Sequence, residues 1–167
     1  LSLKQTLGDR RGQANALLNL GTVYRNTGEF QQALTLYYQA LTEYRDLSDN
    51  SGTAVALGHI GSVYEELGDL ERALQFQLQS LELKKENGTP VQVTVALTNL
   101  ASLAVKQQRF KEAGRYLEEG LGLAVEQESL LAQAHIYGQR GNFYLRQEWV
   151  EEALADFTNA LRLYTEV

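Results

Sequence analysis

The chain has 167 residues, a formal net charge of −6 and no cysteine. The acidic balance argues against nucleic acid or an anionic membrane as a general partner, and the missing thiols exclude disulfides, thiol catalysis and Cys-ligated zinc. No apolar run approaches the ~20 residues that span a bilayer and no signal-peptide pattern opens the chain, so a cytoplasmic location is the expectation.

Residues 1–7 (LSLKQTL) match two later stretches, LTEYRDL and LELKKEN, and read as the tail of a helix that Gly8-Asp9 ends. The chain opens on Leu1, in the register of a helix already under way, and reads as a piece of a longer protein. From Arg11 to Thr27 the residues Ala14, Leu17, Leu20, Gly21 and Tyr24 recur at three- and four-residue steps, which predicts an amphipathic helix that Gly28 stops. Phe30, Ala33, Leu34, Tyr37, Ala40, Leu41 and Tyr44 carry a second helix to Leu47. The polar break Ser48-Asp49-Asn50-Ser51-Gly52 then offers N-caps. The next helix runs from Thr53 to Leu67 and ends at Gly68, and Asp69 is placed to cap the one from Leu70 to Glu86. Asn87-Gly88-Thr89-Pro90 combines a helix stop with a proline at the next helix start. Residues 91–130 and 131–167 follow the same plan. There Gln108 and Glu148 replace the two stop glycines, so those turns are expected to be strained or built differently.

These segments are copies of one unit. Leu17-Leu18-Asn19-Leu20-Gly21-Thr22-Val23-Tyr24 returns after forty residues as LGHIGSVY, then as LTNLASLA, then as YGQRGNFY. Ala33, Ala73, Ala113 and Ala153 share one column, as do Phe30, Leu70, Phe110 and Val150. Gly21, Gly61, Gly141 and Ala101 mark the expected closest approach within each hairpin. Tyr24, Tyr64 and Tyr144 are expected to fill the space between hairpins. Arg140 breaks a column otherwise Leu or Ile, Gln77 replaces an aromatic, and the third unit, with Ala101 and Ala104, is expected to pack irregularly.

Leu17, Leu20-Gly21, Tyr24, Ala33, Tyr37 and Ala40, with their counterparts, resemble the tetratricopeptide repeat over essentially the whole chain. The period of forty residues is similar to the longer-helix branch found in kinesin light chains, spindle-orientation adaptors and bacterial multi-repeat proteins. The resemblance implies an all-α, right-handed superhelical solenoid. Its parts would be an incoming tail (1–10) and four repeats (11–50, 51–90, 91–130 and 131–167).

No catalytic set is present. The two histidines, His59 and His135, have no carboxylate cluster beside them, and no cofactor or metal is expected. In tetratricopeptide arrays the first helices line a groove for a peptide or a partner's helix. The positions implied here are Asn15, Asn19, Thr22, Arg25 and Asn26 in the first repeat, and His59, Ser62, Glu65 and Glu66 in the second. Asn99, Ser102 and Lys106 follow in the third, and His135, Gln139, Asn142 and Arg146 in the fourth. Amides donate and accept together, so such a ladder can hold a peptide backbone whatever its sequence. The chaperone-adaptor clamp for a terminal double carboxylate is not expected, because its lysine positions hold residues such as Leu18, Thr22, His59, Val95 and Asn99. The expectation is a protein- or peptide-binding scaffold, with end-to-end self-association through exposed terminal helices. The alternative is a regulatory module docking on an effector domain of its own chain.

Overall fold

A helix with one apolar stripe must cover it, and the simplest cover is the next helix folded back. The computed structural model describes residues 3–166, and the side chains of residues 9–166. Within that span lie eight helices: α1 (Leu3–Asn26), α2 (Phe30–Asp46), α3 (Asn50–Glu66), α4 (Leu70–Asn87), α5 (Pro90–Lys106), α6 (Phe110–Glu126), α7 (Leu130–Arg146) and α8 (Val150–Glu166). The fold is an all-α repeat. It divides into two compact units, one ending at Asn87 and the other beginning at Gly88.

In the first unit α1 pairs with α2 and α3 with α4, and α2 packs on α3. Its core holds Ala14, Ala33, Tyr37, Ala40, Tyr44, Leu57, Ile60 and Val63, all essentially without solvent contact. Small residues set the hairpin spacing: a Cβ on Gly21 would lie 2.6 Å from Tyr37 Cε1, so any side chain there would push the helices apart. Gln77, in an otherwise aromatic or aliphatic column, is buried and donates to Gly58 O at 3.2 Å; Ser80 beside it donates to Ala54 O at 2.7 Å. These two bonds fasten α4 to the backbone of α3.

In the second unit α5 pairs with α6, α6 with α7 and α7 with α8. A Cβ on Gly141 would lie 2.8 Å from Phe157 Cε1, the same close approach that Gly21 makes to Tyr37. Arg140, the residue out of column, finds a partner that is also out of column. Its guanidinium makes a two-pronged contact with Asp156 at 2.7 and 2.8 Å, and Asp156 is 4 % exposed. Each alone would be a buried charge on an apolar face; together they satisfy each other.

Six turns share one construction. A left-handed residue stands at Gly28, Ser48, Gly68, Gln108, Glu128 and Glu148. The N–H that follows it bonds back to the last helical turn, as Glu29 does to Tyr24 O and Trp149 to Tyr144 O. Gln108 and Glu148 therefore keep the glycine geometry at φ 60° and 62° rather than building a different turn. The strain is real, of order 1–2 kcal/mol for a side chain with a Cβ. The connection into α5 departs from this pattern. Gly88 is not left-handed, and Thr89 closes a capping box with Gln92 ahead of Pro90. Asp49 and Asp69 cap α3 and α4 through their side chains, as the sequence suggested.

Two expectations are corrected. Gly8 and Asp9 do not end a helix; both lie inside α1, which is continuous from Leu3. One interior glycine costs only about 1 kcal/mol against alanine, and no proline follows to enforce a break. Leu1 and Ser2 lie outside the described residues. Tyr24, Tyr64 and Tyr144 are half-buried, and the Tyr64 hydroxyl meets that of Tyr38 in the neighbouring hairpin at 3.3 Å. The most deeply buried rings are Tyr37 and Tyr44 on α2. The third repeat, expected to be irregular, keeps the standard helices and turn; what it lacks is side-chain volume beside Ala101.

Candidate functional site

The predicted groove residues lie on the first helices of the hairpins, and in the two units their surroundings differ. In the first unit many of them are already engaged. Asn15 accepts a 2.6 Å hydrogen bond from the Tyr44 hydroxyl. Thr22 Oγ1 donates to Leu18 O and lies 3.1 Å from the Tyr37 hydroxyl. Tyr37 in turn stacks on His59, ring centroids 5.0 Å apart and planes 13° from parallel. Ser62 donates to Gly58 O at 3.1 Å, and Arg25 approaches Glu66 at 3.7 Å. Asn19 and Asn26 are exposed, and Glu65 is half-buried.

His59 has a distinct electrostatic position. Burial, reinforced by the positive charges of Arg25 and Lys84, pulls its pKa down to about 4. The ring is thus neutral at physiological pH, which suits stacking under Tyr37. Lys84 was not visible in the groove columns, because it comes from α4. Its amine lies 3.8 Å from where a Cβ on Gly58 would stand, and burial lowers its pKa. The clamp positions on the first helices lack lysine, yet the absent side chain of Gly58 lets one reach in from the second helix.

The second unit has an open cleft where the first has the Tyr37–His59 stack. The counterparts of those two residues are Leu117 and Gln139. Leu117 is shorter than tyrosine, and beside it stands Ala101. The result is a cleft of about 310 Å³ bringing together Ser102, Lys106, Gln139, Asn142 and Arg146, all predicted from sequence. Its floor is Thr98, Ala101, Val105, Leu117 and Phe143. The arrangement is an apolar base under a rim of hydroxyl, amide and cationic groups, a form suited to holding a side chain while bonding its backbone. Asn99 and His135 do not line this cleft. Leu117 and Phe143 were missed as site residues. The only available signal for the first was its departure from tyrosine in the column of Tyr37.

Elsewhere, α8 exposes Leu154, Leu161 and Tyr164 along one face, the two leucines each 66 % accessible. Among the described residues no group of three His, Asp or Glu could hold a metal ion. No described helix is long and apolar enough to cross a membrane.

Stacked helix hairpins with small residues at the crossing points define a helical-repeat protein. The chain belongs to the tetratricopeptide repeat family, whose models match residues 12–86, 96–131 and 134–166. Tetratricopeptide repeats generally mediate protein–protein interaction, and their fold typically serves as a non-catalytic scaffold. No match is found among the curated proteins. Among solved structures the chain is similar to BtubC (BKLC) from P. vanneervenii, with a TM-score of 0.78 and 19 % identity over 100 % of this chain and 75 % of that one. Aspartyl phosphate phosphatase F from Bacillus subtilis aligns at a TM-score of 0.84 and 13 % identity, over 94 % of this chain and 41 % of its own. A Podosopora anserina protein described as kinesin light chain, with nearly identical TPR-like repeats, gives 0.74 and 13 %, over 92 % of this chain and 75 % of that one. At such identities the likeness concerns the fold alone.

Proposed function

We propose that this chain is a protein- or peptide-binding scaffold whose ligand lies against the first helices of its hairpins. The observation that carries the reading is the cleft in the second unit, where Ser102, Gln139, Asn142 and Arg146 ring an apolar floor. Asn142 and Arg146 are exposed and make no ion pair or side-chain hydrogen bond among the described residues, so binding need not first break an internal contact. A peptide would seat one apolar side chain on Leu117 and Phe143 while the rim bonds its backbone amides. The exposed face of α8 supports a further contact, end-to-end association or docking on another segment of a longer chain.

The test begins with a partner captured on the intact chain and identified. Each rim hydrogen bond contributes about 0.5–1.5 kcal/mol, so Gln139→Ala with Asn142→Ala should weaken binding roughly ten- to a hundredfold in calorimetry. The melting temperature should stay close to that of the parent. Gln75→Ala on the exposed side of α4 should change nothing. Unaltered affinity in the double variant would remove the groove from the explanation.

A further inference from the structure

The second unit has another vacancy, on the other side of α6, and the first unit shows what it is shaped to hold. Between α6 and α7, closed at one end by Trp149, lies a cleft of about 320 Å³ whose aromatic walls, Phe110, Phe143 and Tyr144, are rimmed by the charged side chains of Lys111, Arg115, Glu118 and Arg140. Its counterpart in the first unit is full. There Leu34 of α2 is 7 % exposed, and Tyr38, one turn on, lays its ring edge against Phe76 with centroids 6.1 Å apart. The Tyr38 hydroxyl meets that of Tyr64 at 3.3 Å. In the second unit Leu34 is replaced by Gly114, Tyr38 by Glu118 and Phe76 by Asp156, while the tyrosine is kept as Tyr144. The tyrosine whose hydroxyl met that of Tyr38 thus remains, while the ring against which Tyr38 packed is gone and Glu118 borders the space where a phenol stood.

Arg115, Glu118 and Arg140 border the gap, and the Arg140 guanidinium lies 5.6 Å from the centre of the Tyr144 ring. A Cβ on Gly114 would meet only Phe143 Cζ, at 3.9 Å, an ordinary contact. Asp156 does not line the cleft and is held by Arg140, which does. The Tyr144 hydroxyl makes no hydrogen bond among the described residues, whereas that of Tyr64 does. Trp149 packs at 5.8 Å on Tyr144 and is half accessible, offering a ring edge at the mouth.

We propose that this cleft is a second binding site, separate from the groove, which takes a tyrosine side chain presented by a partner protein. The guest ring lies where Tyr38 lies in the first unit, among Phe110, Phe143 and Trp149, and its hydroxyl bonds that of Tyr144. Aromatic packing of this kind favours a flat ring over a branched aliphatic chain, and the hydroxyl pair favours a phenol. The site does not depend on the groove reading.

The experiment uses N-acetyl-L-tyrosinamide as the probe and Trp149, the one tryptophan of the chain, as the reporter. Titration should give a saturable change in Trp149 fluorescence and in its indole NMR signal, with a dissociation constant on the order of millimolar for so small a ligand. N-acetyl-L-leucinamide should bind several-fold more weakly. Gly114→Leu and Glu118→Tyr restore the side chains that fill the first unit; each should weaken the probe by about tenfold or more while circular dichroism stays helical and the melting temperature holds or rises. Groove binding should survive both changes. The proposal is overturned by an unsaturable response, by a leucine probe binding as tightly as the tyrosine probe, or by full binding in well-folded Gly114→Leu or Glu118→Tyr protein.

Discussion

The two units are written in the same columns and spend them differently. Where the first has Tyr37 stacked on His59, the second has Leu117 beside Gln139 and an open cleft. Where the first has Ile60 and Phe76, both apolar, the second has Arg140 joined to Asp156. Apart from the longer α1, helix lengths and the turns within each hairpin are alike in both, so these differences do not come from the backbone plan. A repeat scaffold tolerates such exchange because each hairpin needs only close-packed neighbours, not a particular residue. The lesson is that binding space in this fold arises by subtraction: shorten one ring in the second-helix column and a cleft appears beneath the polar rim.

The comparison breaks most visibly at Tyr37. Tyr37→Ala should cost about 3–5 kcal/mol in urea unfolding followed through the first unit, the range for truncating a buried aromatic. Its opposite, Leu117→Tyr, should cost far less, because the ring enters existing space, and it should abolish groove binding. If Leu117→Tyr destabilises as much as Tyr37→Ala, the cleft is not the vacancy it is taken to be. The ion pair gives the next largest effect. Arg140→Leu alone leaves Asp156 buried without its partner and should cost roughly 3 kcal/mol; Arg140→Leu with Asp156→Phe, which restores the residues of the first unit's columns, should recover most of it. A double-mutant cycle on thermal unfolding measures this directly, and additive losses would sink the reading.

The smallest effect is a pH dependence confined to the first unit. The folded-state pKa of His59 lies near 4, below the ordinary value of 6.5, so the unfolded chain binds the extra proton first. Stability from this group is therefore complete above about pH 6.5 and declines as pH falls toward 4, by roughly 2–3 kcal/mol. Carboxylates titrate in the same window, so the measurement is the difference between the parent and His59→Gln. Gln139 already stands at this position in the second unit, which should show no such term. Parallel pH profiles for the two proteins would mean that His59 is not desolvated under Tyr37.

How far the sequence could be read follows from what periodicity encodes. The hairpin register, the closeness of Gly21 and Gly141 to the facing helix and the caps at Asp49 and Asp69 are local or repeat-spaced properties, and four copies made them legible. The strained turns at Gln108 and Glu148 were legible too, because two other copies place glycine there. Groove residues such as Asn142 and Arg146 could be assigned to a face by helical spacing alone. Which of them converge on a cleft could not, since that depends on side-chain volume across a hairpin: Leu117 on α6 decides what Gln139 on α7 can border. Lys84 was hidden for the same reason, being admitted to the groove by the missing side chain of Gly58 on another helix. Arg140 stood out as a misfit in its own column, whereas Asp156 on the facing helix was not picked out. Only the tertiary structure brought them within 2.8 Å and turned two buried charges into one satisfied pair.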